Sequence, residues 1–194
     1  AYALDRALRS AGAGFTQSWD KGVFGCRLNA APILPRSSAF PAPFKNSFLN
    51  GATATLRMAP LLIAKNQSDA GSDVLVVMGG NGMAGGVPRA VTDPGSDTTL
   101  ALDNTVGFSA GDLVLVSQSG TTDCLLEQVA STTAKVLTLG GTYYTASGTD
   151  TPLATLAAST STYVTPLGNA DNGNVSLQLL GVGDNRTLYG YDLL

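Results

Sequence analysis

An α+β fold is predicted by three features of this 194-residue chain: one amphipathic helix at its start, a train of short strands behind it, and long stretches without any period. The expected arrangement is an N-terminal α-helix packed on antiparallel β-sheet, with long irregular loops. Residues 1–14 are assigned to the helix and residues 15–194 to a single β-rich head domain.

The helix rests on spacing. Leu4, Leu8 and Ala11 fall at i, i+4 and i+7 and form one apolar stripe, while Asp5 and Arg9 make an i,i+4 pair of opposite charge on another face. Gly12 and Gly14 supply the stop. A helix of about 11 residues is marginal alone in water, so it needs a surface. Leu4, Leu8 and Ala11 are therefore expected to pack it against the sheet.

Residues 15–50 carry Gly22, Gly25, four prolines (Pro32, Pro35, Pro41, Pro43) and few charges. Phe15, Trp19, Phe24, Phe40, Phe44 and Phe48 recur there without a period, as core-filling rings that pin a long wrapped segment. Strands follow. Thr53–Met58 alternates loosely, Pro60 interrupts it, and Leu61–Ala64 resumes. Asp73–Met78 is almost wholly aliphatic, the pattern of a buried strand. Thr98–Leu102, Leu113–Ser117, Cys124–Val129 and Lys135–Leu139 come at the spacing of a meander or barrel. Tyr163–Leu167, Val175–Leu180 and Thr187–Leu194 close the chain. Residues 79–97 and 145–162 read as loops.

Composition narrows the function classes. The charged fraction is 13%, about half the usual ~25%, and Gly, Ser and Thr fill the gap as in extracellular β-rich domains. A net charge of −3 with only 11 Lys plus Arg argues against a surface that tracks nucleic-acid phosphates. There is no apolar run long enough to span a membrane, and an export signal is expected outside this segment. Cys26 and Cys124 are either a disulfide that clamps the segment after the helix onto later strands or two buried thiols; export would favour the bridge.

Gly80-x-Gly82-x-x-Gly85 directly follows a strand, as in the dinucleotide fingerprint. That motif needs a helix at its third glycine. Gly86-Val87-Pro88 and Asp93-Pro94-Gly95 deny one, so the stretch reads as an inter-strand loop. The chain has no histidine, the commonest general base and zinc ligand. Asp20, Asp93, Asp97, Asp103, Asp112 and Asp184 stand singly in turns, and the single glutamate, Glu127, lies mid-strand. Asn169–Asn174 offers oxygen ligands but no closing glutamate, and a hairpin turn explains it better than calcium does. No catalytic, cofactor-binding or metal-ligating residue is assigned, and no cofactor is expected.

Three stretches, taken in order, resemble one family. Leu4-Asp5-Arg6-Ala7-Leu8-Arg9-Ser10-Ala11-Gly12 with Gly25-Cys26, then Gly71-Ser72-Asp73-Val74-Leu75-Val76-Val77, then Gly107-Phe108-Ser109-Ala110-Gly111-Asp112-Leu113-Val114-Leu115-Val116-Ser117 are similar to passages of the PilW-like minor pilins of bacterial type IV pili, relatives of the J-type minor pseudopilins. The ending Leu188-Tyr189-Gly190-Tyr191-Asp192-Leu193-Leu194 is similar to the family's closing strand.

The resemblance implies a pilin-like fold and a soluble fragment lacking the family's N-terminal hydrophobic helix. It implies a structural subunit, not an enzyme, that helps initiate or cap pilus assembly at or near the filament tip. Its partners would be other minor pilins, the major pilin, a tip adhesin and, through the absent helix, the inner membrane. Its place would be the periplasm and then the extracellular pilus. The loops at 79–97 and 145–162 would be the partner contacts. A minor pseudopilin of type II secretion is the alternative within the group. A carbohydrate- or surface-binding β domain of an adhesin is the alternative from another class, and a nucleotide-using enzyme would rest on the glycine loop alone.

Overall fold

The computed structural model describes residues 2–30, 40–45, 56–81, 86–146, 151–169 and 171–194. In chain order its elements are α1 (Tyr2–Ser10), a 3-10 helix (Thr16–Lys21), β1 (Arg27–Ala30), β2 (Leu61–Ala64), β3 (Val74–Gly80), β4 (Arg89–Asp93), β5 (Thr99–Leu102), β6 (Asp112–Gln118), β7 (Asp123–Thr132), β8 (Val136–Leu139), α2 (Leu153–Ala157), β9 (Thr162–Asn169), β10 (Val175–Val182) and β11 (Leu188–Asp192).

Six strands close into an antiparallel barrel in the order β7-β6-β9-β4-β5-β8, with β8 returning to β7. A second, four-stranded antiparallel sheet runs β11-β10-β3-β2. The expected α+β, pilin-like arrangement of a helix packed on a sheet is corrected by this barrel. α1 does touch β3, yet none of its residues is buried.

Closure has two causes that the sequence reading missed. β7 is ten residues long, so one of its edges serves two partners: Asp123–Leu126 pair with β1 in parallel, and Val129–Thr132 pair with β8. Strand β4 lies within the span read as a loop, between Pro88 and Pro94, and it links β9 to β5. Without β4 the sheet would stay open.

Strand β6 shows how the two layers share one wall. Leu113 and Leu115 belong to an apolar cluster with Val74, Val76 and Met78 of β3 and Leu177 and Leu179 of β10. Val114 and Val116 belong to a second cluster with Leu100, Leu125, Leu137 and Val164 inside the barrel. Period-two alternation thus sends successive residues into two cores, and all four are fully buried. α2, also inside a span read as a loop, fills the barrel with Leu153, Leu156 and Ala157.

Of the expected core rings, Phe15, Phe40 and Phe44 join the first cluster. Trp19 and Phe24 do not. They are 44% and 51% exposed and stack on each other, ring centroids 3.7 Å apart. Phe48 and the start of the expected 53–58 strand lie outside the described residues; Arg57 forms only an isolated bridge with Arg27.

Candidate functional site

The region with the most unusual construction is the junction between α1 and the four-stranded sheet. The Gly12 N–H donates to the Met78 carbonyl at 2.7 Å, and the Gly80 N–H donates to the Ala13 carbonyl at 2.7 Å. These bonds lay the helix exit across the end of β3. A Cβ at Gly79 would stand 2.6 Å from the Ser10 carbonyl oxygen, so only glycine lets helix and strand approach this closely. Gly80 meets the Leu167 carbonyl of the barrel in the same way. The first glycine of the nucleotide-like motif is therefore a backbone packing contact; Gly82 and Gly85 lie outside the described residues.

Of the expected packing stripe, Leu4 and Ala11 are half-buried and Leu8 is 39% exposed. Ala7 is half-buried in its place. The helix is thus rotated so that Leu4, Ala7 and Ala11 form its inner line. Leu8 leans out on one side, and Ala3, Arg6 and Ser10 face a cleft of about 710 Å³ on the other. The far wall of the cleft is β10, with Ser176 and Gln178, and its floor is Gly79 and Gly80. At the β2 side Gly12 lies against Pro60, and Leu61 and Ile63 of this edge strand are 38% and 59% exposed.

Cys26 and Cys124 form a disulfide, with Cα atoms 5.7 Å apart and a separation of 98 positions in sequence. It ties the segment after the 3-10 helix to β7, beside which β1 runs with Leu28 opposite Cys124. Next to it the Arg27 guanidinium Nε sits 2.9 Å from Asp123 Oδ1. Asp123 is fully buried, and its Oδ2 accepts the Thr151 N–H at 3.0 Å.

Glu127, four residues along β7, is also fully buried. It shares the barrel-facing side of the strand with Leu125 and Val129. Its Oε2 accepts the Thr145 N–H at 2.8 Å, and Oε1 has no hydrogen-bond partner among the described residues. Burial pushes this carboxyl up to about 8, with the Thr145 hydrogen bond opposing the shift. Asp123 and Glu127 are not a catalytic pair: four strand residues separate them by about 13 Å, and each holds a backbone N–H. No three His, Cys, Asp or Glu side chains converge for a metal among the described residues.

In the Asn169–Asn174 run, the Asn169 carboxamide oxygen accepts the Asp171 N–H at 3.0 Å. This turn leads from β9 in the barrel to β10 in the other sheet, so it joins two sheets and is not a hairpin. The 145–162 span contains α2, with residues 147–150 outside the description. Among the described residues no helix is long and apolar enough to cross a membrane.

Sequence reasoning missed the cleft, since its walls come from segments about 170 residues apart in the chain. It also missed the buried carboxylates; a lone glutamate inside an aliphatic strand was the available signal. Neither a family model, nor a curated protein, nor a solved structure matches this chain.

Proposed function

We propose that the chain is a structural subunit of the minor-pilin kind, helping to initiate or cap a type IV pilus and sitting at or near its tip. A minor pseudopilin of a type II secretion system is the nearest alternative. The subunit would be held in the inner membrane before assembly and face other pilins afterwards. Under this reading no residue is catalytic.

One observation carries the reading. Tyr2 (80% exposed) and Leu8 on α1, with Leu61 and Ile63 on the edge strand β2, leave apolar side chains uncovered around the helix. An assembly subunit needs such a surface. The ordered resemblance of the helix exit, the 71–77 strand and the 107–117 strand supports the same reading. The buried carboxylates support it as well, because Asp123 and Glu127 are committed to backbone donors.

The test is genetic. Deleting the gene in its source bacterium should abolish or sharply reduce surface pili in electron micrographs. Wild-type complementation should restore them, and the double variant Leu8→Glu/Ile63→Glu should not. Normal piliation and normal type II secretion in the deletion strain would overturn the reading.

A further inference from the structure

The cleft beside α1 has a chemistry of its own, independent of the filament reading. It exists because Gly79, on the outer face of β3 and paired with Ser176, carries no side chain, while Gly80, paired with Val175, turns its own face to the barrel. The helix wall adds the small residues Ala3, Ala7 and Ser10, with Arg6 and Tyr2 its larger side chains. Small residues on both sides produce a hollow of about 710 Å³, inside the ~300–1,000 Å³ range of small-ligand sites.

Its lining narrows the ligand. Val175 is the one branched aliphatic residue there and is 6% exposed, so an apolar ligand would gain little. Arg6 and Asp192 contribute one charge of each sign, which favours a ligand with no net charge. Between them stand the carboxamides of Asn81, Asn174 and Gln178 and the hydroxyl of Ser176, whose side chains bond to no other described residue. Each carboxamide presents a donor and an acceptor side by side, matching a pair of neighbouring hydroxyl groups. Tyr2 adds an aromatic ring at the rim, suited to the C–H face of a sugar. A peptide strand fits less well: β3 and β10 are paired on both edges, so the floor offers no free ladder to extend.

We infer that the cleft between α1 and β10 is a binding site for a neutral, hydroxyl-rich ligand, a short oligosaccharide. The test is a ¹⁵N–¹H NMR titration of the chain with maltotriose, cellotriose, mannotriose and the N-acetylglucosamine trimer. Concentrations run to about 10 mM, which covers millimolar dissociation constants. A Ser-Gly hexapeptide serves as the comparison.

At least one sugar should give saturable shifts at the amides of 79–81 and 174–178. The double variant Asn174→Ala/Gln178→Ala should weaken that binding at least about fivefold without altering the thermal midpoint. Lys135→Ala, exposed and far from the lining, should leave it unchanged. Three results would overturn the inference: no saturable shift with any of the four sugars, shifts confined to another surface, or binding of the hexapeptide alone.

Discussion

The Glu127 carboxylate oxygen Oε2 accepts the Thr145 N–H where β7 changes partners, between the residues paired with β1 and those paired with β8. Gln128 assists by accepting the Tyr143 N–H at 3.3 Å. These two side chains hold the 143–145 segment against the barrel.

This arrangement gives stability a pH dependence. Glu127 rises from an ordinary value of 4.5 to about 8 in the folded state. Between those values the folded protein keeps a proton that the unfolded chain has lost. The contribution is complete below pH 4.5 and is lost as pH rises towards 8. Glu127→Gln keeps an acceptor and carries no charge, so it should be more stable than wild type by about 1–3 kcal/mol near pH 9. The difference should shrink towards pH 4. Urea denaturation of both proteins across this range measures it; a constant offset would contradict the assignment.

Reducing the disulfide should cost more than any single surface change. It closes a long loop, 98 positions in sequence, and cross-links of that size contribute about 2–5 kcal/mol. Cys26→Ser/Cys124→Ser should lower the denaturation midpoint accordingly. Two titratable thiols in the native protein would contradict the bridge itself.

Two ion pairs should behave differently. Asp123 is fully buried against Arg27, whereas the Asp5–Arg9 pair has side chains 56% and 79% exposed. Asp123→Ala removes the buried carboxylate beside Arg27 and the acceptor of the Thr151 N–H, for a loss of about 3–5 kcal/mol. Asp5→Ala should lie within experimental scatter, since exposed pairs contribute little. Equal effects would show that the Arg27–Asp123 contact is not a buried pair in solution.

Gly79→Ala should unseat α1 alone. Its methyl would press on the Ser10 carbonyl, breaking the Gly12–Met78 and Gly80–Ala13 hydrogen bonds. Hydrogen exchange should show loss of protection at Gly12 and Gly80 with the barrel amides unchanged. Retained protection would mean that the close approach is relieved elsewhere at little cost.

Strands with strong aliphatic patterning were legible in the sequence: Leu61–Ala64 was placed to the residue, and β3, β6, β7, β8 and β10 within a few positions. The disulfide partners were identifiable because only two cysteines exist. β4 was not legible, since only Val91 of its five residues is buried and prolines flank it. Missing β4 hid the barrel, for closure depends on pairings that period alone does not encode. The tilt of α1 was also hidden. It is set by Gly79 and Gly12, two backbone contacts, and not by the leucine spacing on the helix itself.

The surface of α1 and β2 is the centre of the functional reading, and photocrosslinking probes it most directly. Under the proposed function, a benzoylphenylalanine at Ile63, in cells of the source organism, should yield adducts with a pilus or pseudopilus subunit, while the same group at Lys135 on the barrel should yield few. Adducts from neither position, or the same non-pilin adduct from both, would contradict an assembly role for this face.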